Sequence, residues 1–251
     1  MEETEMPEQI LKIDKLNKYY GQHQVLYDIS FEIQKGEVVA LLGPSGSGKS
    51  TLIRCLNGLE QFQSGFLFFG GKQITPQEKN WPQLRQKIGM VFQSYDLFPN
   101  LSVLDNILLG PLKVQKRQRA EATAEALKLL QRVGLEKYAE VYPRQLSGGQ
   151  KQRVAIVRAL ALHPELMLFD EVTASLDPEM VRGILEIIRE LSERDNMTMI
   201  IVTHEMNFAA QIADRILFLE EGRILEQTPG KEFFQHAKTQ RAREFLESMT
   251  F

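Results

Sequence analysis

Residues 36–50 read "GEVVALLGPSGSGKS". A continuous apolar run ends at a glycine, the pattern of a strand buried on both faces. The residues that close the stretch, Gly43, Pro44, Ser45, Gly46, Ser47, Gly48, Lys49 and Ser50, fit G-x-x-x-x-G-K-[ST] in full. Glycines there let backbone N–H groups close around phosphate oxygens with no Cβ in the way. A helix expected from Lys49 to about Asn57 adds the partial positive charge of its N-terminus. Lys49 is expected to reach β- and γ-phosphates, and the Ser50 hydroxyl to ligate Mg²⁺. With Thr51, these residues are the candidate nucleotide-binding set.

A metal at Ser50 needs a second anchor. "LMLFDE" at 166–171 supplies it, with Asp170 and Glu171 at the end of a buried apolar strand. Two acids ending a strand are often no more than a solvated turn. After a complete phosphate loop, Asp170 reads as a Mg²⁺ anchor acting through water, and Glu171 as the acceptor of a proton from an attacking water.

"LSGGQKQR" at 146–153 is a second glycine turn opening a helix. Its plain reading is a serine N-cap followed by glycines. Such a helix start is itself an anion site, so the chain carries two phosphate cradles. Val154, Val157, Leu160 and Ala161 form an apolar stripe behind it.

The remaining pattern alternates strands and helices. "VLYDISFEI" at 25–33 has period two, with Val25, Tyr27, Ile29, Phe31 and Ile33 expected on the buried face. "GFLFFGGKQI" predicts a hairpin turning at Gly70-Gly71, and "IGMVFQ" a buried strand. From about 94 to 162 the pattern is helical. Strands return with "LMLFD" and "MTMIIVTH", separated by a helix from Asp177 to about Glu193. "RILFLEEGRILEQ" predicts a hairpin turning at Glu221-Gly222. The class is α/β, a mostly parallel sheet with helices and a small antiparallel piece on the N-terminal side.

Composition is that of an ordinary globular chain, 43% hydrophobic and 25% charged over 251 residues. A formal net charge of −3 leaves no global footprint for nucleic acid, and no nucleic-acid partner is expected. The lone cysteine, Cys55, permits no internal disulfide, fits a reducing compartment and reads as packing. The acidic start "MEETEMPEQI" is not expected to be a secretory signal. The apolar runs are far shorter than a bilayer span requires.

The order of these motifs resembles the nucleotide-binding subunit of ABC transporters, over almost the whole chain from about Leu11 to Glu226. "LSGGQ" matches the family signature letter for letter. The resemblance implies a single domain over 1–251: a P-loop (RecA-like) core with a small antiparallel β subdomain, about 8–93 and 163–251, and an inserted helical subdomain, about 94–162. It also accounts for the second cradle. Two copies pair head to tail, so that Ser147, Gly148, Gly149 and Gln150 of one close on ATP held by Lys49 of the other. Asp177, in "ASLD", crosses to the partner site. Tyr20, or its neighbour Tyr19, corresponds to the aromatic that stacks on adenine, Tyr20 being the better match, and Gln93 to the glutamine that senses Mg²⁺ and water. His204 corresponds to the histidine that contacts the γ-phosphate and orients Glu171. The family usually has "DEPTSALDPE" where this chain has "DEVTASLDPE", so Val172 removes a proline that stiffens the turn.

The resemblance further implies ATP and Mg²⁺ as cofactors, a transmembrane permease as partner, an indirect substrate-binding protein, and a place on the cytoplasmic face of the inner membrane. In relatives the segment "SYDLFPNLSVLDNI" forms the permease groove, here expected to be lined by Tyr95, Leu97 and Phe98. Its other reading is a covered part of the helical subdomain's own core. The tail "RAREFL" resembles importers of histidine, glutamine and arginine, pointing to polar amino acid uptake. An ATPase serving a cell-division or lipoprotein-release partner shares every ATP motif. A DNA- or ribosome-directed ABC ATPase lacks support, because no coiled-coil insertion, zinc module or second nucleotide domain is visible.

Overall fold

The computed structural model describes residues 8–249. Most of the acidic opening segment, on which the expected lack of a secretory signal rests, lies outside them. In chain order the first elements are β1 (Gln9–Tyr20), β2 (His23–Gln34), β3 (Val38–Leu42), α1 (Lys49–Leu56), β4 (Ser64–Phe69), β5 (Lys72–Ile74), α2 (Trp81–Lys87) and β6 (Ile88–Phe92). Three long helices follow, α3 (Val103–Lys113), α4 (Arg119–Arg132) and α5 (Gly148–Leu160). The chain then runs through β7 (Leu166–Asp170), α6 (Pro178–Glu193), β8 (Thr198–Val202), α7 (Met206–Ile212), β9 (Arg215–Glu220), β10 (Arg223–Pro229), α8 (Gly230–His236) and α9 (Gln240–Met249).

Two sheets result. The larger has the order β10-β9-β3-β8-β7-β6, parallel except for the β9–β10 hairpin. The smaller is antiparallel, β2-β1-β4-β5. The apolar runs of β3, β7 and β8 are continuous because both faces are covered. Leu41, Leu168 and Ile200 join a core shared with α1 and the small sheet, while Phe169, Met199 and Ile201 pack on the other side with α5 and α6. Helices α3 to α5 enclose a separate core around Ile107, Leu130 and Val157. Cys55 is buried in the first core, and burial pushes its thiol up to about 12, which leaves it a packing residue.

One strand departs from its sequence pattern. Strict alternation puts Val25 and Tyr27 inward, yet Leu26 is the buried residue, at 0% exposure, and Val25 and Tyr27 are only partly covered. The register slips between the Leu16–Ile29 and Lys18–Leu26 pairs. Asp28 there has a left-handed φ of 47°. Its N–H donates to Asn17 Oδ1 at 3.0 Å, and Asn17 Nδ2 donates to Asp28 Oδ1 at 3.0 Å. This bulge moves the next inward residue from Tyr27 to Leu26. The segment 94–102 is also a loop rather than helix, with α3 starting only at Val103.

Glu226 fastens the C-terminal helices to the sheet. It is 4% exposed. Its carboxylate accepts from the N–H groups of Lys238 and Thr239 and from the hydroxyls of Thr228 and Thr239, at 2.8–3.0 Å. Burial alone raises its pKa, and those donors outweigh burial and hold it below the ordinary glutamate value. A depressed folded-state pKa stabilises the fold above the unfolded value, and that stability is lost as pH falls through the folded value. Glu226→Gln is therefore expected to cost about 2 kcal/mol at pH 7. It should also flatten the acid limb of stability, as read by urea unfolding at several pH values.

Candidate active site

The parallel strands deliver the candidate residues to one crevice. Residues at the C-terminal ends of neighbouring strands face the same rim in such a sheet. The loop after β3 is the glycine-rich turn, β6 ends next to Gln93, β7 ends at Asp170, and His204 follows β8. These four strands are consecutive in the sheet.

The turn at 43–48 is tight. Gly43 has φ 147°, and a Cβ there would stand 1.9 Å from the Leu219 carbonyl oxygen. Lys49 Nζ donates to the carbonyls of Gly43 and Pro44 at 2.8 and 2.9 Å, so the ammonium closes the loop on itself. Burial lowers the Lys49 pKa, with Glu171 and Asp170 pulling it the other way. The buried Ser47 hydroxyl has no hydrogen-bond partner among the described residues. A glycine turn, a buried ammonium and an orphaned hydroxyl fit a polyphosphate.

Ser50 Oγ donates to Asp170 Oδ1 at 2.7 Å. Burial raises the Asp170 pKa, against the Ser50 hydrogen bond and the nearby Arg54 charge. Arg54 Nη2 is 3.5 Å from Asp170 Oδ2. Sequence reasoning missed Arg54, although its i+4 spacing from Ser50 on α1 puts both on one face. A hydroxyl and a carboxylate are hard oxygen donors suited to Mg²⁺. The described residues contain no cluster of three or more His, Cys, Asp or Glu able to hold a metal.

Glu171 and His204 meet, with His204 Nε2 3.1 Å from Glu171 Oε1. Glu171 has a left-handed φ of 49°, held by its N–H donating to Val202 O at 3.0 Å and by Ala174 N–H donating to its carbonyl at 3.1 Å. Val172, in the usual proline position, is buried against α5 and α6, so packing and these bonds hold the turn. Gln93 Nε2 donates to Ser175 Oγ at 3.1 Å. Ser50, Gln93, Asp170, Glu171 and Ser175 line one cavity of about 400 Å³.

Tyr20 lies at the end of β1, 46% exposed, with the Lys18 ammonium 4.4 Å from its ring centre. Lys18 is buried, donates to Gln61 O at 2.8 Å and pairs with Glu60 at 2.9 Å. This fixed cation under the ring had no signal in the alternation of β1. Ser147 is the N-cap of α5. Its Oγ accepts from Gln150 N–H at 3.3 Å, and Gln150 Oε1 accepts from Ser147 N–H at 2.9 Å. Asp177 precedes α6 and makes no side-chain cap, which leaves its carboxylate uncommitted to the helix. Of Tyr95, Leu97 and Phe98, only Phe98 lines a surface groove between the sheet and the helical part, at 49% exposure. Leu97 packs against two buried cores, and the Tyr95 hydroxyl turns toward Gly148.

The strand–glycine turn–helix with its acid pair defines a P-loop ATPase core. A family model described as ABC transporter matches residues 26–174, more than half of the chain. The arginine transport ATP-binding protein ArtM of Bacillus subtilis is 51% identical over 240 residues, covering 96% of this chain and all of that one. The glutamate/aspartate import ATP-binding protein GltL of Escherichia coli K12 is 49% identical over 237 residues, covering 94% of this chain and 98% of its own. The dimeric structure of MJ0796, a bacterial ABC transporter cassette, superposes with a TM-score of 0.80 at 34% identity, covering 88% of this chain and 99% of that one. The chain belongs to the ABC transporter family, as one of its ATPase cassettes. Among the described residues no helix is long and apolar enough to cross a membrane.

Proposed function

We propose that the chain is the ATP-hydrolysing subunit of a bacterial importer of polar amino acids. It works as a pair of copies on the cytoplasmic face of the inner membrane, bound to a permease that a substrate-binding protein loads. One observation carries the reading: near end-to-end identity of 51% and 49% to proteins named for arginine and for glutamate/aspartate transport. Those cargoes bear opposite charge at nearly equal identity. The subunit therefore recognises ATP and a permease rather than the amino acid.

In this reading the ATP lies between the 43–51 segment of one copy and Ser147–Gln150 of the other. Tyr20 stacks on adenine with its ring backed by Lys18, and Lys49 leaves its carbonyls for the β- and γ-phosphates. The capped start of α5 offers N–H groups and helix charge to the γ-phosphate across the interface, beside Asp177. Ser50 and Asp170, with Gln93 close by, hold Mg²⁺, which neutralises phosphate charge when bound. Glu171 takes a proton from water as the water oxygen bonds to the γ-phosphorus and the bridging oxygen leaves with ADP. His204, already 3.1 Å from Glu171, keeps that carboxylate aimed.

Groove geometry supports the permease. Phe98 stands at a groove of about 300 Å³ between the sheet side (Leu59, Met90) and the helical side (Leu109, Leu162). Phe98→Asp is expected to release the protein from solubilised membranes while ATP binding by the free protein stays unchanged. Retained association in a pull-down of the variant contradicts the groove assignment.

A further inference from the structure

The loop that carries Gln93 is fastened to α5 on both sides. Before it, Phe92 O accepts from Gln152 Nε2 at 3.2 Å. Gln152 is fully buried, and its Oε1 has no partner among the described residues. After it, Tyr95 and Asp96 hold left-handed φ values of 59° and 47°. Non-glycine residues adopt such values at a cost, and only when their surroundings impose them. Two sets of bonds hold them: Arg158, whose guanidinium donates to Asp96 O at 2.6 Å and Tyr95 O at 3.2 Å, and a local turn in which Asp96 N–H donates to Ser94 O at 2.6 Å. The Tyr95 hydroxyl then returns to the opposite end of α5. A Cβ on Gly148 would stand 3.0 Å from it and 3.2 Å from Leu176, next to the serine that holds Gln93.

Helix α5 is a stiff 13-residue rod whose N-terminus is the signature. Its displacement moves Gln152 and Arg158 together, and with them both flanks of Gln93. We propose that Arg158 and Gln152 are positioning residues that make the placement of Gln93 in one ATP site depend on closure of the same chain's signature on the other ATP. The inference rests on the two-copy reading above. It makes hydrolysis at the two sites cooperative through a path inside each chain: phosphate, α5, Arg158 and Gln152, Gln93. Without Arg158, the flank after Gln93 is no longer tied to α5 by these bonds, and of the two ties the Gln152–Phe92 bond remains.

The test is the ATPase rate of the full chain against ATP concentration for wild type, Arg158→Gln and Arg158→Lys, with ATP-dependent pairing measured separately by light scattering. Two coupled sites allow a Hill coefficient approaching about 2. Arg158→Gln is expected to bring it toward about 1 and to lower kcat about 10-fold. ADP affinity should not change, because the P-loop is untouched. Arg158→Lys, which retains the charge and part of the bonding, is expected between the two. Gln152→Leu provides the same reading if Arg158→Gln does not fold. A uniformly scaled rate with the wild-type Hill coefficient is what a merely structural role produces, and it overturns the proposal, as does unchanged kinetics. A wild-type protein that neither pairs with ATP nor shows cooperativity removes the two-copy reading and this inference with it. Pairing without an effect of Arg158 removes the inference alone.

Discussion

Glu171→Gln is expected to lower ATP turnover by about 10²-fold or more and to accumulate an ATP-bound pair of copies. A positioned general base contributes about 10²–10⁴ to such a step. The glutamine keeps the shape and the contact to His204 but does not accept the water's proton. In the proposed two-copy site, ATP binding draws on the P-loop and the signature, neither of which the change touches. Binding therefore survives while the step that reopens the pair fails. Light scattering with Mg-ATP is expected to give twice the monomer mass for the variant and a smaller, transient fraction for wild type. Hydrolysis at the wild-type rate contradicts the role given to Glu171.

Lys49→Ala is expected to reduce kcat/KM by about 10²-fold or more, as removal of one preorganised donor to a developing charge does. The ammonium is buried at the centre of the loop and bonds the Gly43 and Pro44 carbonyls. Its loss removes charge from the phosphate site and also frees those two carbonyls. A thermal melt separates the effects. The loss of affinity should far exceed any shift in Tm, because the loop is also held by Gly222 N–H donating to Ser47 O at 3.0 Å. Lys49→Arg should not rescue, since a planar fork does not fit where a compact ammonium sits.

The phosphate loop, the acid pair and the hairpins at Gly70-Gly71 and Glu221-Gly222 were legible because each is local. Fixed spacing, a glycine turn and a buried run write them into adjacent residues. The departures are where distant residues decide. Asp28 turns left-handed because Asn17, on the neighbouring strand, offers both an acceptor and a donor. That shift is invisible to a count of alternating apolar positions. Helix α2 is absent from the sequence reading; its Pro82 sits in the first turn, where proline is tolerated. In the candidate site, motif spacing pointed to Ser50, Asp170 and Glu171, and the family resemblance pointed to His204. The motif pattern did not predict that Lys49 rests on two carbonyls or that Gln93 rests on Ser175. Tyr95 and Leu97 looked available for a groove because both are large and apolar. Gly148 and the two cores claim them instead.

The most direct test of the central claim is the ATPase activity of this protein in liposomes with the membrane partner that co-purifies with it. The partner's binding protein is added together with single amino acids in turn. A multi-span permease is expected as that partner, with hydrolysis that rises with one polar amino acid or a small set of them. A cell-division or lipoprotein-release partner, or hydrolysis indifferent to every amino acid, contradicts import while leaving the ATP site as described.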